Sequence, residues 1–412
     1  GRLNNRHTLQ GGESVHLSAT DIDNSAGGNI QSGSTTRLSA AQSLSNRGLI
    51  NSNGLTLIEA GTTLLNSGSG RIYGNHVALA ATDLINRDEQ EKSAAIAARR
   101  QLDIGAQNIT NQEGALLSSE GRLNIGGRLG NTHEAEGSAH LLDNNGAEIL
   151  SQSDMQLAAD TLLNRNSNYR SSHKEVAGSR KQVMEYVMSD RGYTFNEQDA
   201  SLRIYTESDI SHRAGYDSLV LKDGSYHEDY TRTHYTQYDV KTTVDSSRPA
   251  RIVAGGSLRI SGADLTNDKS HILAAGELYL PSAEIKNLDD ETAKYVTVKT
   301  GAWRDFHHVY YNNWGKKKDG YQGRAAPADA ETIKEPNYKL NIFKTQSHYT
   351  GNTALAPLDA TSIQITTLKA EGSNGQEIRA VPPDTRLPSQ ALFHFNSADN
   401  PRPLIETDSA FT

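Results

Sequence analysis

Cysteine is absent from all 412 residues. That excludes disulfides, thiolate nucleophiles and zinc–thiolate centres. Aromatic residues make up only 6% of the chain and hydrophobic residues 35%, with a mean hydropathy of -0.63. A conventional large core would demand more apolar mass than this. No run approaches the roughly 18 consecutive apolar residues that a membrane-spanning helix requires. No secretory leader opens the chain; Gly1-Arg2-Leu3-Asn4 begins in mid-phrase and reads as a cut from something longer. The net charge of -8 is dispersed along the sequence, which favours solubility and gives no footprint for nucleic acid.

Catalytic signatures are missing as well. The sequence holds no Gly-x-Ser-x-Gly elbow, no phosphate loop and no His-Glu-x-x-His. His307 and His308 are adjacent, so on a strand they point to opposite faces and make a poor metal site. Ala254-Gly255-Gly256-Ser257 lacks the Gly-Gly-x-Gly-x-Asp pattern of a calcium repeat and reads as a turn. Carboxylates are plentiful, yet nothing singles out a pair with which to cleave a glycan. We therefore expect no enzyme, no cofactor and no bound metal.

What is present is a rhythm. The phrase Leu44-Ser45-Asn46-Arg47-Gly48-Leu49-Ile50-Asn51-Ser52-Asn53-Gly54-Leu55-Thr56-Leu57 returns in worn form along most of the first 287 residues. Its marker, an Asn shortly after an apolar residue, falls at Asn4, Asn24, Asn46, Asn66, Asn86, Asn111, Asn131 and Asn164, with a further candidate at Asn144. It returns at Asn267 and Asn287. Between markers, runs such as Val15-His16-Leu17-Ser18-Ala19 and Leu123-Asn124-Ile125 alternate with period two, the pattern of short strands buried on one face. A phrase of about 20 residues holding two or three such strands is one coil of a solenoid. Disorder is opposed by the regular apolar spacing and a charged content of only 22%. The expected fold is thus all-β, a right-handed parallel β-helix of ~20-residue coils with hairpin and loop insertions, its thin core filled by Leu, Ile, Val and Ala. Asn suits a repeated corner, where its side chain can hydrogen-bond up and down the stack.

The expected boundaries are a β-helix over 1–164, a Tyr-rich insertion over 165–250, further coils over 251–287, an aromatic and basic insertion over 288–352, and a Pro-containing extended segment over 353–412 leading to a following domain. Arg87 to Arg100, with its Ala-rich middle, suggests a short outer helix, and Thr132 to His140 a polar loop. Twenty of the 25 aromatics lie in the two large insertions, which we expect to form β-hairpins and extended loops leaving the side of the rod. Ser218-Leu219-Val220-Leu221 hints at a hidden coil inside the first, and Ser362 to Leu368 at a last strand.

An aliphatic rod has no need of aromatic clusters, whereas Trp, Tyr and Arg dominate binding hot spots. The candidate receptor-binding residues are accordingly Tyr226, Tyr230, Tyr235, Tyr238, Trp303, Phe306, His307, Tyr310, Tyr311, Trp314 and Lys316.

The phrases Leu-x-Asn-x-Gly-x-Ile-x-Ser over Leu44 to Ser52 and apolar-x-Leu-x-Ala over Val15, Leu17 and Ala19 resemble the repeats of filamentous haemagglutinins and related two-partner secretion exoproteins. The resemblance covers 1–165 and 251–287. Leu387-Pro388-Ser389-Gln390-Ala391-Leu392-Phe393, followed by Pro403 to Thr412, resembles the phrase closing the central region of CdiA-type contact-dependent growth inhibition effectors, with Ser409 where that family often has Pro. What the resemblance implies is a secreted, cell-surface filament exported through an outer-membrane secretion partner. Its central region would grip an outer-membrane protein or lipopolysaccharide of a target bacterium before toxin delivery. Two other readings stand beside it: an adhesin binding host protein or glycan, and a polysaccharide-cleaving β-helix enzyme.

Overall fold

The computed structural model describes residues 1–188, 194–196, 202–205, 218–221, 226–227, 229–262, 264–281, 284–311, 313–315, 317–340, 366–367 and 379–380. All regular secondary structure among them is β. The chain divides into two units, one of Gly1–Arg170, Asp245–Asp290 and Ile342–Thr412, the other of Ser171–Val244 and Glu291–Asn341.

The first unit is a parallel β-solenoid. Each coil supplies a strand to each of three parallel ladders. In the first ladder Arg2–Asn5 pairs with Asp21–Asn24, which pairs with Leu44–Asn46, and so on to Asp264–Asp268 and Glu284–Leu288. Thr8–Gly11, Asn29–Ser32 and Leu49–Ser52 begin the second ladder, and Ser14–Ala19, Thr35–Ala40 and Leu55–Ala60 the third. Arg71–Glu89 and Ala95–Gln112 run through all three ladders without a break. The in-register pairing places like residues over like. Ile22, Leu44, Leu64, Leu84, Ile109, Leu142, Leu162 and Leu265 form one buried column, and Ile30, Ile50, Ile72, Ile96, Leu117, Ile149 and Ile252 another. Each such side chain contributes about 1.5–3 kcal/mol on burial, so the thin core accumulates its stability coil by coil.

The Asn corner is the polar counterpart of these columns. Asn5, Asn24, Asn46, Asn66, Asn86, Asn111, Asn144, Asn164, Asn267 and Asn287 each donate from Nδ2 to Oδ1 of the next, at 2.7–2.9 Å, down to the last. From Asn24 to Asn164 the same amide also reaches a backbone carbonyl of the second-ladder strand of the next coil, for example Leu49, Arg71 or His271. Buried amides are costly unless bonded, and the stack bonds them by repetition. Glycine accompanies the corner for a steric reason. A Cβ at Gly28 or Gly70 would lie 2.1 or 2.4 Å from Oδ1 of Asn24 or Asn66.

Two markers read from the sequence are displaced. The ladder begins at Asn5, not Asn4, and runs from Asn111 to Asn144, bypassing Asn131. Asn131 sits in a turn between Arg128–Leu129 and Ala135–Glu136, a small antiparallel hairpin inserted in that coil. The expected outer helix over Arg87 to Arg100 is also corrected. Asp88 and Glu89 pair antiparallel with Ser93 and Lys92 around Gln90 and Glu91, both at positive φ. Ile96 then stacks between Ile72 and Leu117 in the core. Pairing on both edges outweighs the helix propensity of the alanines.

The second unit is an antiparallel sheet built on two long strands, Tyr230–Ser246 and Tyr295–Tyr311. Lys181–Met188 and Arg170–Glu175 flank the first of them, and Lys317–Arg324 and Ala330–Glu335 flank the second. A bulge at Gly301–Ala302, opposite Tyr235, re-aims the middle of the sheet. Ser218–Leu221 is not a hidden coil. It pairs antiparallel with Leu202–Tyr205 and Tyr226–His227; period-two alternation marks a strand but not the direction of its partner. Of the expected strand over Ser362 to Leu368 only Thr366–Thr367 is described, paired antiparallel with Arg379–Ala380. The rest of 353–412 lies outside the described residues.

Candidate receptor-binding surface of the antiparallel unit

The candidate aromatics fall on the two long strands and on the turn that follows them. Strand alternation puts Tyr230, Arg232, His234, Tyr238, Val296, Trp303, Asp305 and His307 on one face, and Tyr235, Asp239, Lys299, Phe306 and His308 on the other. On the first face Tyr230 sits opposite His307 with ring centroids 5.0 Å apart, and Tyr186 meets Tyr230 edge-on at 5.7 Å. All three rings are buried. Beside them the Arg232 guanidinium clasps Asp305 from Nε and Nη2 at 2.6–3.2 Å, with Asp305 fully buried.

Tyr235 is buried on the opposite face. Its hydroxyl donates to Glu185 at 2.9 Å, while the Lys299 ammonium lies over its ring at 4.5 Å and 3.5 Å from Glu185. Burial raises the Tyr235 phenol above its ordinary range. Burial alone would depress Lys299, yet Tyr235 and Glu185 together hold its pKa above the usual value. Further along, Lys334 bonds Asp239 and holds that carboxyl below the ordinary range, helped by Thr297 donating at 2.8 Å.

Tyr230, Tyr235 and His307 are thus interior groups of the accessory sheet, and as candidate contact residues they are corrected. The sheet needs an aromatic core because it lacks the aliphatic columns of the solenoid. Phe306 is half-buried and stacks on His308, whose Nδ1 is 2.8 Å from Asp229. Tyr238 is half-buried beneath the Arg180 guanidinium, 4.2 Å from its centroid. Tyr226, Tyr310 and Tyr311 lie on strands Tyr226–His227 and Tyr295–Tyr311. Lys316 lies outside the described residues.

The two tryptophans remain accessible. Trp303 is 49% exposed and tilts against His234, and Trp314 is 88% exposed in the turn closed by Gly315 at a φ of 65°. Ile333 adds to them. It pairs with Val296, which puts it on the face of Trp303, and is 67% exposed. Composition did not point to it, since a lone Ile among Glu331, Thr332, Lys334 and Glu335 carries no cluster signal; only the register reveals its side. Every residue of Ala330–Glu335 is exposed, and the strand pairs with Tyr295–Tyr311 along one edge. Among the described residues no group of His, Asp and Glu is arranged to hold a metal ion.

These features define a solenoid scaffold interleaved with a separate antiparallel unit. The haemagglutinin repeat family matches residues 1–88, 80–133, 119–178 and 229–287, more than half of the chain. The chain belongs to that family, whose members are filamentous-haemagglutinin-type two-partner secretion proteins, structural and adhesive rather than enzymatic, and typically secreted or surface-bound. Neither the curated proteins nor the solved structures compared with it give a match.

Proposed function

We propose that this chain is the receptor-binding segment of a toxin-delivery filament of the contact-dependent growth inhibition type, engaging an outer-membrane protein or lipopolysaccharide of a neighbouring bacterium. One observation carries the reading: the antiparallel unit, which the solenoid does not need for its own stacking, exposes Ile333 on an open edge strand, Trp303 on the adjoining long strand, and Trp314 in the turn at that strand's far end. Apolar anchors of this size are what binding hot spots are made of. An extracellular loop of a receptor would add to the edge of Ala330–Glu335 by main-chain hydrogen bonds, with the tryptophans as anchors. The phrase at Leu387 to Phe393 and Pro403 to Thr412 supports the same assignment by resemblance, and export would use an outer-membrane secretion partner.

The test is binding of the purified chain to intact bacteria, followed by selection of target mutants that no longer bind. Loss of binding on inactivation of one surface gene supports the reading. Binding to eukaryotic cells together with indifference to every bacterial surface mutant supports the second reading, an adhesin binding host protein or glycan.

A further inference from the structure

The third ladder of the solenoid carries a groove built from repeated positions. Gln156, Arg259 and Tyr279 occupy one register position of the third ladder on three successive coils, and all three side chains are exposed. The neighbouring position holds Asp154, Ser257 and Glu277, again one per coil and exposed. Between them is a groove of 310 Å³, lined also by Met155 and Leu258, whose side chains are buried in the solenoid core. That volume is at the lower end of the range of about 300–1,000 Å³ for small-ligand sites. The rim is held by the backbone: Ser257 N donates to Asp154 Oδ1 at 2.8 Å, and Glu277 N to Ser257 Oγ at 3.2 Å. The Arg259 guanidinium packs over the Tyr279 ring, 4.4 Å from its centroid, which fixes the ring while leaving 44% of the residue exposed.

We propose that this groove is a subsite for a neutral oligosaccharide laid along the stacking direction. A sugar offers hydroxyls that donate and accept, and a C–H face. The groove answers with carboxylate acceptors at Asp154 and Glu277, an amide at Gln156 that does both, donors on Arg259, and an aromatic surface on Tyr279. Two carboxylates against one guanidinium disfavour anionic sugars and acidic peptides. The coil spacing of about 4.8 Å presents one side chain per coil, and the column continues to Asn124. A chain of sugar rings therefore meets repeated contacts where a single ring would meet few.

The experiment titrates the complete chain with hexasaccharides of β-1,4-glucose, α-1,4-glucose, α-mannose and β-1,4-N-acetylglucosamine, with hexagalacturonate as the anionic probe. At least one neutral hexasaccharide is expected to bind saturably. Tyr279→Ala and Gln156→Ala each weaken it about ten-fold, the size of one good contact, while circular dichroism stays unchanged because both positions are exposed. Trp314→Ala leaves sugar binding intact, which separates this site from the receptor surface. The proposal is overturned if no neutral hexasaccharide binds, if both variants bind as the parent does, or if hexagalacturonate binds best.

Discussion

Asn164 donates its amide to Oδ1 of Asn267 at 2.7 Å, across 103 positions of sequence. The same amide reaches the carbonyl of His271 at 3.0 Å, and its own Oδ1 accepts from Asn144 at 2.8 Å. The residues between 165 and 251 thus enter the solenoid as an insertion in one coil, and the ladder closes over the gap with unchanged register.

Asn164→Ala should take from the Asn144 amide one of its three acceptors and remove the side-chain donor from Asn267 and His271. Unmet buried polar groups cost about 1–3 kcal/mol each, so the variant should lose roughly 3 kcal/mol locally. Because solenoid stability is a sum over neighbouring coils, the loss should appear as faster amide hydrogen exchange in 251–288, with 21–90 unchanged. Asn287→Ala, at an exposed end of the ladder, should lose under about 1 kcal/mol. Equal effects from both variants would contradict a cooperative ladder.

The same coils should be acid-sensitive. Burial, with the nearby Arg251 charge, lowers the His271 pKa to about 4 from an ordinary 6.5. Above pH 6.5 the imidazole is neutral in both folded and unfolded chains. Between 6.5 and 4 the unfolded chain takes up the proton and the folded one does not, so stability falls as pH falls through that window. Exchange rates in 251–288 should rise from pH 6.5 to 4 after correction for intrinsic rates. His271→Gln should flatten that dependence; a parent protein with a flat profile would refute it.

Asp305→Ala should leave the partly buried Arg232 guanidinium without the Asp305 carboxylate. Breaking one side of a buried ion pair typically costs 3–5 kcal/mol, whereas replacing both sides by apolar groups can cost far less. Thermal unfolding followed by tryptophan fluorescence should therefore shift strongly in Asp305→Ala and recover in part in Arg232→Met/Asp305→Leu. Both tryptophans lie in the antiparallel unit, so this signal reports that unit alone.

Trp314→Ala should separate binding from folding. At 88% exposure its removal should change stability by less than about 0.5 kcal/mol, while attachment of the chain to target cells falls at least ten-fold, as for a hot-spot residue. Tyr230→Ala should do the opposite, lowering stability by about 3–5 kcal/mol as a buried aromatic truncation. Attachment that survives Trp314→Ala would remove the turn from the receptor surface.

Coil length, core columns and the parallel solenoid were legible in the residues because every interaction that makes them is local or one coil away. Alternation selects the inward side chain, the Asn–Gly corner sets the turn, and stacking repeats the choice. The choice between Asn4 and Asn5, or between Asn131 and Asn144, was not legible. A one-residue slip reverses every side chain, and only the paired neighbours settle it. The accessory aromatics show the larger limit. Composition marked Tyr230, His307, Trp303 and Trp314 alike as candidates, but antiparallel register joins Tyr230 to His307 where both are buried, while Trp303, farther along the same face, and Trp314, in the turn beyond the strand, stay exposed. The periodic scaffold was determined by the sequence alone, through contacts short enough to read along the chain. Which rings form a core and which stay exposed was decided only by pairings some seventy residues apart.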